Sequence, residues 1–224
     1  MLRKISSLLL LLILTGCSSG HRVSDDEIAL AEFQKNFKRT PTVVIDAGHG
    51  GDDFGTHSDK PPIYQEKRLA LSTARMLSIY LKQLGFRTKL IRSEDVFIPL
   101  KERAAIANDL RPKVFVSVHY NSAPNKKASG IEVYFYDSDK DLVRAEKSKA
   151  LASSVLDRVL EHTEAKSRGV KHGNFAVIRE TKMPAILVEG GFLTNDAERK
   201  KIQNPAYLKK LALGIAEGIQ SYLR

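Results

Sequence analysis

The apolar and polar positions of this chain follow two alternating periods, and those periods predict an α/β architecture. The apolar run at 43–45 reads as a buried strand that breaks into the turn Gly48-His49-Gly50-Gly51. Over 66–84, Leu69, Thr73, Leu77, Tyr80, Leu81 and Leu84 fall on one helical face, and Gly85 supplies a stop. Further along, the pattern predicts a strand at 86–91, a helix at 100–110 and a strand at 113–118. A period-2 strand at 131–136 and a helix at 146–161 come next, then a short strand at 175–178 and an apolar one at 185–188. Helices at 196–202 and 205–223 close the chain. Alternating strands and helices imply a single α/β domain with a twisted, mostly parallel sheet and helices on both faces. No internal repeat, low-complexity tract or second domain interrupts the pattern.

The first residues do not fit that domain. Arg3 and Lys4 form a basic start, and 5–14 is almost unbroken Leu and Ile, too short for a stable bilayer span and suited to a secretory leader. Leu14-Thr15-Gly16-Cys17 resembles a bacterial lipobox cleaved before its cysteine. The reading is a lipoprotein signal peptide at 1–16, a polar tether at 17–40 and the α/β domain at 41–224. A short helix is expected within the tether at 24–37, where Ser24 and Glu27 have capping-box spacing. Cys17 is the only cysteine, so an intramolecular disulfide and a thiolate zinc cluster are both ruled out. As the lipidated N-terminus it would anchor an exported protein to a bacterial membrane facing the periplasm. Ser18 and Ser19 after it suit the outer membrane.

Charge adds a weaker constraint. The chain carries 36 Lys and Arg against 26 Asp and Glu, a net charge of +10, and losing Arg3 and Lys4 lowers that by only two. A basic surface suits nucleic acid, anionic lipid or an anionic polymer. The export signal argues against nucleic acid, whereas a carboxylate-rich cell-wall polymer fits.

Candidate chemistry gathers where strands end. His49 follows the first strand, His119 the strand at 113–118 and Glu189 the strand at 185–188. Strand ends are where open α/β sheets build sites, and His, His and Glu suggest a zinc hydrolase. A catalytic zinc site takes three protein ligands and leaves one position open. His49 and His119 are natural ligands, and the third should be a carboxylate near the glycine turn. Glu66, opening the next helix, is placed for that, although a Glu there also complements the helix dipole. Separations of 17 and 53 residues match no compact zinc motif. A nucleotide site does not fit: the third glycine of G-x-G-x-x-G is replaced by Asp53, the Gly-Lys-Ser/Thr of a P-loop is missing, and Asp52 and Asp53 would repel phosphate.

Five segments, VVIDAGHGGDDFG (43–55), QEK (65–67), LIRSED (90–95), SVHYN (117–121) and MPAILVEGGFLTN (183–195), together resemble the zinc-dependent N-acetylmuramoyl-L-alanine amidases of the amidase 3 type. The likeness runs from about Val43 to the C-terminus. It implies one Zn2+ per chain held by His49, Glu66 and His119, with Glu189 as the catalytic base. The implied reaction cuts the amide between the muramic-acid lactyl group and L-alanine of peptidoglycan or its fragments. Relatives often have Leu where this chain has Gly190, a departure expected to loosen a loop after Glu189. Some relatives carry a long inhibitory helix over the zinc. The short passage from Tyr136 to the helix near Glu146 leaves no room for one, so an open groove and no obligatory activator are expected. No cell-wall-binding module is seen, which leaves placement on the substrate to the lipid anchor.

Other residues are read against blander alternatives. Asp46 is either a residue that supports the ligands from behind or a turn residue, and Asn121 is expected to shape the site by hydrogen bonding. Glu189, between an apolar strand and two glycines, is expected to be exposed. Arg92, Arg103 and Arg179 read as structural ion-pair residues. His57, His162 and His172 read as surface or loop positions, and Tyr134, Phe135 and Tyr136 as core or sheet-surface aromatics. Two alternatives stand beside the amidase: a zinc peptidase acting elsewhere in the stem peptide, and a non-catalytic cell-wall lipoprotein. The latter predicts loss of a site residue, and all four are present.

Overall fold

The structure, a computed structural model, describes residues 42–58 and 61–224. The proposed signal peptide and tether, Cys17 and the short helix at 24–37 lie outside the described residues.

A six-stranded sheet organises the domain. Its strands are β1 (Thr42–Ala47), β2 (Arg87–Leu90), β3 (Val114–Asn121), β4 (Ile131–Phe135), β5 (Ser167–His172) and β6 (Ala185–Phe192), in the order β2-β1-β3-β6-β4-β5. β2, β1, β3 and β6 are parallel. β4 runs antiparallel to β6, and β5 runs parallel to β4. The sheet is therefore mostly parallel, as expected, with two reversed strands at one edge.

The helices are α1 (Glu66–Gln83), α2 (Leu100–Leu110), α3 (Leu142–Thr163), α4 (Ala176–Arg179), α5 (Asp196–Ile202) and α6 (Pro205–Leu223). They cover both faces. Leu69, Leu77 and Leu81 of α1 pack with Leu151 and Val155 of α3 and Leu211 and Ile215 of α6 against Ile45, Val116 and Val188. The opposite face is smaller, with Ala107 of α2 and Val177 and Ile178 of α4 over Val44, Phe115 and Leu187. Alternation along each strand sends neighbouring apolar residues to the two layers, and each large aliphatic side chain removed from water contributes about 1.5–3 kcal/mol. Among the described residues no helix is long and apolar enough to cross a membrane.

Several predicted boundaries move, each for a local reason. α3 begins at Leu142 rather than near Glu146 because the Asp141 carboxylate caps it, accepting from the Arg144 amide at 3.0 Å. The segment at 175–178, expected as a strand, is instead the single helical turn α4. Four apolar residues fit a buried helix turn as well as a strand, and only packing decides between them. β5 was not anticipated: its sequence SRGVKH lacks apolar alternation, and it is an edge strand with exposed ends. β3 and β6 continue beyond their apolar runs, so His119 and Glu189 lie inside strands rather than after them. Gly190 is also inside β6, and a Cβ there would lie 2.6 Å from Leu211 and 2.9 Å from Tyr120. It admits those two side chains, which corrects the expectation of a loosened loop.

Candidate active site

The glycine turn presents His49 through a constrained backbone. After β1, the Gly48 amide donates to the Val118 carbonyl at 3.0 Å, tying the turn to β3. His49 has φ of 60°, a left-handed conformation that costs a side-chain-bearing residue about 1–2 kcal/mol. Two buried arginines hold it. Arg92 donates to the carbonyls of Ala47, Gly48 and Lys67, and Arg103 to those of Ala47 and His49. Arg103 also donates to Asp46 Oδ1 at 2.9 Å, while the Ser117 hydroxyl donates to Asp46 Oδ2 at 2.8 Å. Asp46 is thus not a turn residue. It lies inside β1 and supports His49 through Arg103 without touching a ligand.

Three donor groups converge beneath this turn. His49 Nε2 lies 3.1 Å from Glu66 Oε1 and His119 Nδ1 2.8 Å from the same oxygen. The candidate ligand atoms all lie within 4.8 Å of one another. Glu66 is buried at the first turn of α1, where it accepts from the Tyr120 amide at 3.1 Å and the Thr56 amide at 2.9 Å. Burial opposes charge on both sides of this cluster and is outweighed. Hydrogen bonds from His119 and His49 and their charges hold the Glu66 carboxyl well below the usual range. Glu66 and Asp53 in turn raise the His49 imidazole above 6.5. The centre therefore favours positive charge, and two imidazole nitrogens with one carboxylate oxygen form a donor set suited to a catalytic divalent ion such as zinc.

Glu189 borders the same space. Its register places it beside His119 on β3 and opposite Glu132 on β4. Contrary to the expectation of exposure it is half-buried, and its Oε2 is sealed from solvent with no hydrogen-bond partner. Burial, reinforced by the charges of Glu66 and Glu132, pushes its carboxyl well above 4.5. His49, Glu66, His119, Asn121 and Glu189 all line one cavity of about 410 Å³, walled by apolar Leu100, Phe175 and Val177. Asn121 lines the cavity too and donates to Glu132 at 2.6 Å.

A family model described as N-acetylmuramoyl-L-alanine amidase matches residues 43–221. The chain belongs to this family. An uncharacterized protein of Bacillus subtilis, YqiI, is 38% identical over 81% of this chain and 84% of its own length. The N-acetylmuramoyl-L-alanine amidase AmiC of Neisseria meningitidis is 32% identical over 83% of this chain and 53% of its own. Among solved structures, an amidase of Clostridium difficile 630 superposes with a TM-score of 0.77 at 40% identity, covering 82% of this chain and 97% of that one. The catalytic domain of CwlV from Bacillus (Paenibacillus) polymyxa gives 0.76 at 38% identity, covering 82% and 98%.

Two residues of this amidase escaped the sequence reading. In the sequence Asp53 reads only as a charge hostile to phosphate, yet both its carboxylate oxygens lie 2.8 Å from His49 Nδ1. Its place four residues after a histidine in a glycine turn was the available signal. Glu132 is buried on β4 with four donors, and a lone acid in an otherwise apolar strand segment was its signal. Among the described residues, the other histidines stay outside the cluster. His57 is exposed, His172 accepts from the Asp137 amide, and His162 is a partly buried partner of Glu217 at 2.8 Å. Arg179 pairs with Glu180 as expected, whereas Arg92 holds backbone carbonyls rather than an acid.

Proposed function

We propose that this amidase hydrolyses the bond between N-acetylmuramic acid and L-alanine in peptidoglycan, with one zinc ion at His49, Glu66 and His119 and Glu189 as the base. A divalent ion bound there would supply a Lewis acid that polarises the scissile carbonyl and acidifies attacking water. Glu189, unpaired and beside His119, accepts the proton from that water and delivers it to the departing alanine amine. Asp53 fixes the His49 tautomer with Nε2 turned toward Glu66. The apolar wall of Leu100, Phe175 and Val177 limits competing solvent. One observation carries this reading: an unpartnered carboxylate, one of its oxygens sealed from solvent, in the cavity that the His-Glu-His group also lines.

The leader at 1–16 and Cys17 support export and lipid anchoring, which would hold the catalytic domain near the wall on a periplasm-facing membrane, the outer one by its serines. The connection at 136–141 between β4 and α3 supports a groove that works without an activator. The same donor set also serves zinc peptidases, so digestion products discriminate. Mass analysis of digested peptidoglycan should find intact stems beginning with free L-alanine. Shortened stems still joined to sugar would favour the peptidase.

A further inference from the structure

Beyond the metal group, one cluster at the cavity edge carries more charge than its structural role requires. Glu132 is almost wholly buried on β4. Its Oε1 accepts from Asn121 at 2.6 Å and from the Tyr134 hydroxyl at 2.9 Å. Its Oε2 accepts from Arg168 Nε at 2.9 Å and Lys171 Nζ at 2.5 Å, both on β5. One buried carboxylate needs one countercharge, and this one has two. The two cations are not themselves buried: their side chains are 31% and 37% exposed.

Neither cation lines the cavity itself, but each is tied to residues that do. Asn121 lines it and is one hydrogen bond from Glu132. Phe175 lines it too and meets Tyr134 edge-on at 5.1 Å, with Lys171 above the Tyr134 ring at 6.0 Å. Arg168 lies 4.8 Å over Phe192, the residue registered opposite Asn121. Arg168 spends Nε on Glu132, which leaves its Nη1 and Nη2 as a donor fork of the shape that suits a carboxylate. Lys171 has three donor hydrogens and uses one on Glu132. Glu132 thereby anchors both cations, whose side chains remain partly exposed.

We propose that Arg168 and Lys171, seated on Glu132, form a subsite for a free carboxylate on the peptide part of the substrate, beyond the alanine whose amide is cut. The inference rests on the amidase reading above. It makes the enzyme discriminate stems by charge: a free carboxylate at the second residue is preferred over its amide.

Two synthetic N-acetylmuramoyl peptides test this, identical except that the second residue's α-carboxyl is free in one and amidated in the other. The full-length wild type should show about tenfold or greater preference in kcat/KM for the free acid, the span expected of a hydrogen bond to a charged group. Lys171→Gln, and separately Arg168→Gln, should lose most of that preference, through a rise in KM on the acid larger than any change on the amide. Lys171→Arg should restore it. Lys171→Gln leaves Arg168 on Glu132, and its unchanged melting temperature would confirm that the fold is intact. Equal cleavage of both probes by the wild type, or a proportional loss on both in the variants, would overturn the subsite and leave the amidase reading standing. Cleavage of neither probe would overturn both.

Discussion

Asp53 and His49 are joined by a hydrogen bond of 2.8 Å at Nδ1, leaving Nε2 facing Glu66. The nitrogen that carries the proton is fixed by this bond, and with it the nitrogen available to a metal. Such carboxylate partners typically contribute 10–100-fold in metal affinity or activity. Asp53→Ala should therefore weaken zinc binding by about 10–100-fold, measured by competition with a chromogenic chelator. Unchanged affinity would mean the bond does not orient the ligand.

Gly48 is required for a steric reason. A Cβ at this position would stand 2.3 Å from the His119 ring, whose Nδ1 is held on Glu66. Gly48→Ala should displace that ring and abolish stoichiometric zinc binding, while a domain with most of its core untouched still unfolds cooperatively. Zinc content together with a thermal melt checks both halves.

The Asp46–Arg103 pair is buried on both sides, at 1% exposure each. Removing one member strands the other's charge, which costs about 3–5 kcal/mol. Asp46→Ala should lower stability by that amount in denaturant titrations of the metal-free protein. A loss below about 1 kcal/mol would show that water reaches Arg103.

The fold was legible wherever packing is written as periodicity. The α1 stripe from Leu69 to Leu81 and the apolar runs of β1, β3 and β6 gave the layers and placed His49, Glu66, His119 and Glu189. What stayed hidden depends on contacts between distant segments. β5 earns its place by pairing with β4, not by its own residues, and α4 is helical because Val177 and Ile178 fill a gap beneath the second face. Asp53 reaches His49 only because Gly50 and Gly51 adopt positive φ and the Gly50 and Asp53 backbones exchange hydrogen bonds. Glu132 becomes a hub only once β5 brings two cations to it. A strand's sequence does not state its neighbours.

The pH dependence of turnover follows from the surroundings of Glu189. A base must be deprotonated, and burial with the nearby carboxylates raises its pKa, so activity is lost as pH falls through a value above 4.5. The acid limb of kcat/KM for the metal-loaded enzyme should have its midpoint above that value. A midpoint at or below 4.5 would show that the bound cation, rather than burial, governs Glu189.

The most direct test of the whole account is a zinc titration of chelator-treated full-length protein against a defined N-acetylmuramoyl-L-alanyl peptide. Release of the alanine amine should rise from zero and saturate at one ion per chain. Glu189→Gln should bind the same single ion and release essentially nothing. Undiminished cleavage in excess chelator, or substantial turnover by the Gln variant, would contradict the assignment.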